Sequence, residues 1–256
     1  MRIISLVPSL SELLCDLSLQ KFIVGCTSFC VFPKNLYKTA SIVGGTKDPN
    51  IEAIRKLHPT HILVNKEENS KEHVRILQKI APTLITYPKS IYCVPKMLDD
   101  IGVFLNISLA TKSLSHKIEI KLKSVDQFHK TRKIKPSYCY YFIWKNPWMV
   151  AAKNTYIDSL LQLLGFSNMS TSKDRYPQVD LNIIFQNNID SILLASEPWP
   201  FRKRDLKDLA KYWKKEPLIY KIDGKLMSWY GTSSYHALDE IHKFLQQKES
   251  TLVSKF

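Results

Sequence analysis

The chain lacks the sequence features of several protein classes. It has only 7 glycines among 256 residues and contains no GxSxG, GxxxxGK[ST], HExxH or GxGxxG motif. The corresponding serine-hydrolase, P-loop, zinc-protease and dinucleotide sites therefore have no signature here. No stretch reaches the roughly 18 apolar residues of a transmembrane helix. We expect an ordinary globular chain that is not an enzyme.

Cysteine is too sparse and too irregular to define a framework. The five cysteines are odd in number and none has CxxC spacing, which argues against disulfides and against a zinc knuckle. Cys26 and Cys30 are near each other, but no histidine stands beside them in sequence to make a catalytic thiol. Buried free thiols are therefore expected.

A secretory leader is also missing from the sequence as it stands. The opening MRIISLVPSL has one arginine and a short apolar run that is broken at Pro8, and it lacks a cleavage site. The expectation is a cytoplasmic protein, or a periplasmic or membrane-associated one if a leader has been removed and Met1 is not the native start.

Acidic residues are few, and the net charge is +14 from 37 Lys+Arg against 23 Asp+Glu. Clustered cations would suggest nucleic acid. Here the lysines run from Lys21 to Lys255, with modest concentrations at 112–135 and 202–215 and no nucleic-acid motif. No nucleic acid is expected; a solvated basic surface, an anionic ligand or membrane proximity remain open.

An internal repeat organises what is present. Residues 51–64 align without a gap on residues 181–194, which lie 130 positions later. Each copy predicts an amphipathic helix, a polar turn and a buried strand, followed shortly by Glu67 or Glu197. Two similar α/β lobes follow from this repeat.

The two halves also begin alike. Strands are predicted at 3–7 and 138–143, each followed by a helix, the first ending near Leu19 and the second spanning 156–164. The pattern SLSE at 9–12 has the form of a capping box and is predicted to open the first helix. A strand feeding a helix is the start of a βα unit.

A long helix is predicted to join the lobes. The segment from about 95 to 135 has no glycine after Gly102, and its apolar residues have a helix-compatible spacing, interleaved with lysines. We predict an N-terminal lobe at 1–106, a bridging helix at 107–133 and a C-terminal lobe at 134–256. A stiff helix would restrict the lobes to small relative movements.

Several segments, in order, resemble one known family. They read RIISLVPSLSELLCDL, TSFCVFP, GGTKDPNIEAIRKLHPTHIL, YPQVDLNIIFQNNIDSILLASEP and SWYG. Together they are similar to the helical-backbone metal-receptor group, the class III periplasmic substrate-binding proteins, and most of all to the cobalamin-binding members of ABC importers. The resemblance implies two Rossmann-like lobes bridged by one long α-helix, with a ligand cleft between the lobes.

The function implied is non-catalytic binding of cobalamin or a related corrinoid or metal chelate, with no intrinsic cofactor. An ABC permease is the partner that the resemblance implies. A wide, flat ligand needs aromatic faces and a few polar groups. Candidates stand in loops around predicted strands: Phe29, Phe32, Trp144, Trp148, Arg175, Tyr176, Trp199, Phe201, Trp229 and Tyr230. Burial of any single aromatic in the core remains the alternative.

Two positions depart from the family pattern. Thr46 and Lys47 stand where a cobalamin binder can present a stacking tryptophan, so this part of the pocket would be polar and cationic, and Lys47 could meet a phosphate or carboxylate. Glu52 matches one of the two glutamates that dock on the permease. The second position is Asn182, with Asp180 two residues before it, which puts importer docking in doubt.

Two further functions remain open. An anionic ferric siderophore or heme would suit the same fold and the positive charge. A cytosolic enzyme that modifies a chelate is the alternative from a different class.

Overall fold

The computed structural model describes residues 1–132, 135–246 and 252–255 and divides the chain into two compact units. Unit 1 consists of Met1–Pro88, Cys93–Ile118 and Trp229–Ser233. Unit 2 consists of Lys89–Tyr92, Glu119–Ser228 and Ser234–Phe256. Each unit thus draws on more than one stretch of the chain.

Unit 1 is built on a five-stranded parallel sheet with the strand order β3-β2-β1-β4-β5. Its helices and strands are β1 (Ile3–Ser5), α1 (Pro8–Asp16), β2 (Ile23–Cys26), α2 (Leu36–Thr39), β3 (Ser41–Ile42), α3 (Ile51–Lys56), β4 (His61–Asn65), α4 (Lys71–Leu77), β5 (Thr83–Thr86) and α5 (Val94–Leu105). Short 3-10 turns occupy Gln20–Phe22 and Ile91–Cys93. The 25-residue helix α6 (Ser108–Arg132) continues from unit 1 into unit 2.

Unit 2 is built on a mixed sheet with the order β11-β10-β9-β6-β7, and β8 also pairs with β6. Its elements are β6 (Ser137–Trp144), β7 (Met149–Ala151), α7 (Tyr156–Leu163), β8 (Phe166–Asn168), α8 (Leu181–Ile184), β9 (Ser191–Ala195), α9 (Lys203–Ala210), β10 (Leu218–Ile222), α10 (Gly224–Ser228), α11 (Thr232–Leu245) and β11 (Val253–Lys255). β7 and β11 run antiparallel to their neighbours, and the other pairings are parallel.

Both copies of the internal repeat form the same local structure. α3 leads into β4, and α8 leads into the fully buried β9. A polar residue caps each helix: the side chain of Asn50 accepts from the N–H of Ala53, and that of Asp180 accepts from the N–H of Asn182. Continuous burial on both faces explains why residues 62–64 of β4 and 192–195 of β9 are uninterrupted apolar runs.

The predicted fold class is confirmed: two α/β sheets with mostly parallel strands and a long connecting helix. Two local predictions were wrong. α1 begins at Pro8 without a side-chain cap, because the ring of proline fixes φ for the first helical turn. Glu12 instead accepts a hydrogen bond from the Ser233 hydroxyl at 2.6 Å. α1 also ends at Asp16 rather than near Leu19, because Ser18 turns into the left-handed region.

The bridging segment contains two helices. Asn106, with φ of 55°, ends α5 in a left-handed C-cap, and α6 begins two residues later. Of the predicted bridging helix at 107–133, residue 133 lies outside the described residues. Within the described ranges, no helix is long and apolar enough to cross a membrane.

Candidate functional site

Three loops follow the carboxyl ends of strands in unit 1, where open parallel sheets place their ligands. We call residues 27–33, 44–48 and 66–69 the unit 1 edge. The backbone joins the first two loops, since the N–H of Ser28 donates to the carbonyl of Gly44 at 3.0 Å. Gly44 has φ of +95°, and a side chain there would stand 2.6 Å from the carbonyl oxygen of Asp48. Glycine is therefore required for this turn.

Two aromatic rings project from the first loop. Phe29 is 58% exposed and lies over Gly45, whose Cβ position is 3.4 Å from the ring. Phe32 is 41% exposed and meets Trp229 edge-to-face, with ring centroids 6.4 Å apart. Trp229 belongs to unit 1 although its chain neighbours before it belong to unit 2. The structure therefore brings Phe32 and Trp229 together, while Tyr230 is buried.

The second loop is held by polar contacts. Lys47 Nζ donates to the carbonyl of Glu67 at 2.5 Å, and the carbonyl of Thr46 accepts from the side-chain amide of Asn69 at 2.8 Å. The same amide nitrogen donates to the carbonyl of Leu6 at 3.2 Å. Both predicted polar residues, Thr46 and Lys47, thus connect the loop to the segment after β4.

The third loop adds Glu68, which the sequence did not single out. The side-chain oxygen of Asn65 accepts from the N–H groups of Glu67 and Glu68, at 2.8 and 3.3 Å. Burial raises the pKa of the Glu68 carboxyl to about 7, helped by the nearby charge of Cys30 and opposed by that of Lys47. A carboxyl that titrates near neutral pH is a feature of many functional sites.

Four predicted aromatics form one cluster in unit 2, at the carboxyl ends of β6 and β9. We call it the unit 2 aromatic cluster. Trp144 and Trp199 meet edge-to-face at 5.3 Å between centroids, and Trp148 stacks on Phe201 at 6.0 Å. Trp144 is 36% exposed, whereas Phe201 is buried in the core. The indole N–H of Trp199 is buried and finds no hydrogen-bond partner among the described residues.

A buried ion pair supports this cluster. Lys145 Nζ contacts Asp205 Oδ1 at 2.8 Å and Asp208 Oδ2 at 2.7 Å, and it also lies 5.5 Å from the ring centroid of Trp148. The side chains of Lys145 and Asp205 are 13% and 4% exposed. Burial is the largest influence and raises the pKa of Asp205, but the hydrogen bonds from Lys145 and from the Arg202 backbone, together with the charges of Lys145 and Arg204, lower it overall. Lys145 was missed by sequence reasoning because its partners are 60 and 63 positions away.

The remaining predicted residues of unit 2 lie beside α7 and β6. Arg175 Nη1 donates to the carbonyl of Asn154 at 2.8 Å, just before α7. Burial raises the pKa of Tyr141, and the neighbouring Tyr176 adds to that shift.

The two predicted docking acids lie two positions apart in the register of the repeat, since Glu52 aligns with Asn182 and Asp180 aligns with Asn50. Glu52 lies in the first turn of α3, is 73% exposed and stands 3.5 Å from Arg55. Asp180 is exposed, and its Oδ1 accepts from both the backbone and the side-chain nitrogen of Asn182. Among the residues that the structure describes, no group of three or more His, Cys, Asp or Glu side chains could hold a metal ion.

Comparison with known proteins places the chain among relatives. A family model described as periplasmic binding protein matches residues 3–223. The curated relative "High-affinity heme uptake system protein IsdE" of Staphylococcus aureus is 26% identical over 178 residues, which cover 68% of this chain and 60% of the relative. The matched segment thus spans less than two thirds of that protein.

Solved structures share the fold over almost the whole chain. A vitamin B12 binding protein, BtuF of Vibrio cholerae, matches with a TM-score of 0.79 at 16% identity, covering 97% of this chain and 98% of BtuF. A periplasmic heme-binding protein of Pseudomonas aeruginosa matches with a TM-score of 0.80 at 17% identity, covering 99% of this chain and 97% of that protein. S. aureus IsdE complexed with heme matches with a TM-score of 0.77 at 22% identity, covering 95% of this chain and 98% of IsdE.

The family match confirms the prediction of a binding protein rather than an enzyme. The relatives bind different chelates, so they do not determine the ligand of this chain. With its two α/β sheets, its connecting helix and a match over residues 3–223, the chain belongs to the periplasmic binding protein family.

Proposed function

We propose that this protein is the substrate-binding component of an ABC importer and that its ligand is a metal tetrapyrrole, either cobalamin or heme. These two ligands share a wide, largely apolar macrocycle with a polar fringe around a metal centre. Both are named among the structural relatives. The metal would arrive with the ligand as cargo.

The observation that carries the proposal is the accessibility of aromatic rings after the strands of both sheets. Phe29, Phe32 and Trp144 are each more than a third exposed, although exposed aromatic surface is unfavourable in water. Stacking between two well-placed aromatic faces contributes about 0.5–1.5 kcal/mol in addition to the free energy gained from the apolar area that it buries. Each of these rings would offer a face on which a macrocycle can stack.

Other predicted residues would act behind these rings. Trp199 packs on Trp144, and Phe201 supports Trp148, so they would set the orientation of the unit 2 aromatic cluster. Tyr230 is buried and adjoins Trp229, which contacts Phe32. Arg175, Tyr176, Thr46 and Lys47 would face the polar fringe of the ligand, since amides and carboxylates accept from such donors.

A ligand panel tests the proposal. Purified protein is titrated with cyanocobalamin, cobinamide, heme, a ferric siderophore and metal-free protoporphyrin, while tryptophan fluorescence and ligand absorbance are followed. We expect saturable quenching by either the corrinoids or heme, with one ligand per chain. Quenching by the siderophore alone would overturn the tetrapyrrole assignment but leave the binding-protein function. Absence of saturable quenching with every ligand would overturn both.

Covalent change of the ligand is a separate outcome. The ligand recovered after prolonged incubation should have an unchanged mass, because a substrate-binding protein releases what it binds. A modified chelate would instead support a chelate-modifying enzyme.

Docking to a permease is proposed through the two acids of the repeat. Glu52 and Asp180 are exposed and each lies at the amino end of a short helix, where they could pair with arginines of a permease. We expect Glu52→Gln combined with Asp180→Asn to reduce stimulation of importer ATPase activity in proteoliposomes while ligand binding is unchanged. Asparagine retains the helix cap, and Glu72→Gln on α4 is a matched control. Unchanged stimulation would exclude this docking mode.

A further inference from the structure

Two thiols meet at the base of the loop that follows β2. Cys26 is the last residue of β2 and is fully buried, and Cys30 lies in the loop with 4% exposure. The backbone N–H of Cys30 donates to the carbonyl of Thr27 at 3.0 Å, which closes the turn between them. The hydroxyl of Thr27, the residue after Cys26, also contacts the Cys30 sulfur. The two cysteines therefore stand at the two ends of one short turn, and the Cys30 side chain folds back toward the residue that follows Cys26.

The surroundings of Cys30 favour its thiolate form. Its sulfur lies 3.1 Å from the Ser11 hydroxyl and 3.2 Å from the Thr27 hydroxyl. The hydrogen bond from Cys26 lowers the pKa of the Cys30 thiol most, burial opposes it, and the two hydroxyls lower it further. The thiolate is the nucleophilic form of cysteine.

Other titratable groups also face this pair. The Glu68 carboxyl is near enough for the charge of Cys30 to raise its pKa, and Lys47 counteracts that effect. Cys15 on α1 adds a weaker charge interaction with both Cys26 and Cys30. Burial raises the pKa of the Cys15 thiol to about 11, so Cys15 is protonated at neutral pH.

Cys30 lies just under the surface of its loop. Its chain neighbours Phe29 and Val31 are 58% and 54% exposed, so a small displacement of the loop admits a small oxidant. Cys139, by contrast, lies inside β6 with no exposure, and burial raises the pKa of its thiol. The Cys30 thiol can therefore react with a small oxidant, whereas the Cys139 thiol is shielded from it.

We propose that Cys26 and Cys30 are an oxidative modification site, at which hydrogen peroxide produces a reversible intramolecular disulfide, with Cys30 reacting first and Cys26 second. The sequence places the two cysteines near each other without a CxxC motif, and the inference does not depend on which ligand the protein binds.

The chemistry balances with peroxide as the oxidant. The Cys30 thiolate attacks one peroxide oxygen, an S–O bond forms, the O–O bond breaks, and hydroxide leaves with a Cys30 sulfenic acid. The Cys26 thiol then loses its proton and attacks the Cys30 sulfur; the S–S bond forms and the S–O bond breaks. The departing hydroxides take up protons as water. Two thiols are oxidised to one disulfide while one peroxide is reduced to two waters.

Mass spectrometry of the full-length protein tests this directly. Both cysteines lie on the tryptic peptide 22–34, since trypsin cleaves after Lys21 and Lys34 and finds no site between them. Reduced protein is treated with equimolar hydrogen peroxide at pH 7, and remaining thiols are then alkylated in denaturant. We expect the peptide to appear unalkylated and lighter by two hydrogens, and dithiothreitol to restore two alkylation sites.

Single variants separate the two roles. In Cys26→Ser, dimedone should label Cys30 as a trapped sulfenic acid, whereas Cys30→Ser should leave Cys26 reduced. Cys139→Ser is the control and should oxidise like the unchanged protein. The proposal is overturned if peptide 22–34 of the unchanged protein remains doubly alkylated after the exposed Cys93 has been oxidised. Because that result needs no variant, a misfolded variant cannot obscure it.

Discussion

The two sheets carry their candidate ligand surfaces in different ways. In the unit 1 edge, Phe29 and Phe32 stand on a loop that a backbone hydrogen bond joins to residues 44–48, and the side-chain amide of Asn69 holds that second loop. In the unit 2 aromatic cluster, the rings pack on one another and on Lys145, which is paired with Asp205. Unit 1 thus positions its rings through hydrogen bonds between loops, and unit 2 positions its rings through side-chain packing.

The largest effect is expected from breaking the ion pair of unit 2. Lys145→Met should lower the free energy of unfolding by about 3 kcal/mol, because Asp205 would remain buried without its partner. Urea unfolding followed by circular dichroism measures this. Lys211→Met removes an exposed lysine that pairs with Asp208 and should change stability little. Equal losses in the two variants would contradict a special role for the buried pair.

The second effect concerns Glu68 in the unit 1 edge. The pKa of the Glu68 carboxyl is raised to about 7, so the folded state binds its proton more tightly than the unfolded state. Proton binding therefore stabilises the fold at low pH, and this contribution is lost as the pH rises from about 4.5 through 7. Glu68→Gln should therefore stabilise the protein relative to the unchanged chain by on the order of 2 kcal/mol more at pH 8 than at pH 5. Urea midpoints at the two pH values measure this, and a difference that does not vary with pH would contradict it.

A third, smaller effect tests the equivalence of the repeat. Asn50→Ala and Asp180→Ala should each lower the free energy of unfolding by about 1 kcal/mol, because each removes an N-cap acceptor. Asp180→Asn keeps an acceptor and should lose much less. Thermal and urea unfolding measure these changes. A loss confined to one copy would show that the two capped helices contribute unequally.

The smallest effect is on affinity. Trp144→Ala and Phe32→Ala should each weaken ligand binding by about fourfold, corresponding to the loss of about 0.8 kcal/mol of ring stacking. Tyr138→Ala is the control, because this 48% exposed ring lies near the opposite end of the strand that carries Trp144. Isothermal titration measures all three. An equal loss in the control would mean that the effect is not local to the proposed surface.

The sequence predicted the elements whose signals are local. The buried strands at β4 and β9 and the helices before them follow from apolar runs and from the repeat, and both were found. Pro8 explains why the first helix departs from the prediction: its fixed backbone begins the helix before the supposed capping residues.

The missing parts of the site depend on distant contacts. Asn69 donates to Leu6 across 63 positions, and Lys145 reaches Asp205 across 60. No pattern in the sequence joins such pairs, because packing of the sheets and loops brings them together. The same holds for Glu68, whose raised pKa arises mainly from burial. Residue types could therefore suggest an aromatic surface but not the polar groups that support it.

Calorimetric titration of the purified protein with cyanocobalamin and with heme, each compared with metal-free protoporphyrin, tests the central claim most directly. The account predicts a saturable isotherm with one site per chain for cyanocobalamin or heme, weakened in the Trp144→Ala and Phe32→Ala variants and unchanged in Tyr138→Ala. The titrations are run at 15 and at 35 °C, because a binding enthalpy that is near zero at one temperature is measurable at the other. Absence of binding heat with both tetrapyrroles at both temperatures would contradict the account.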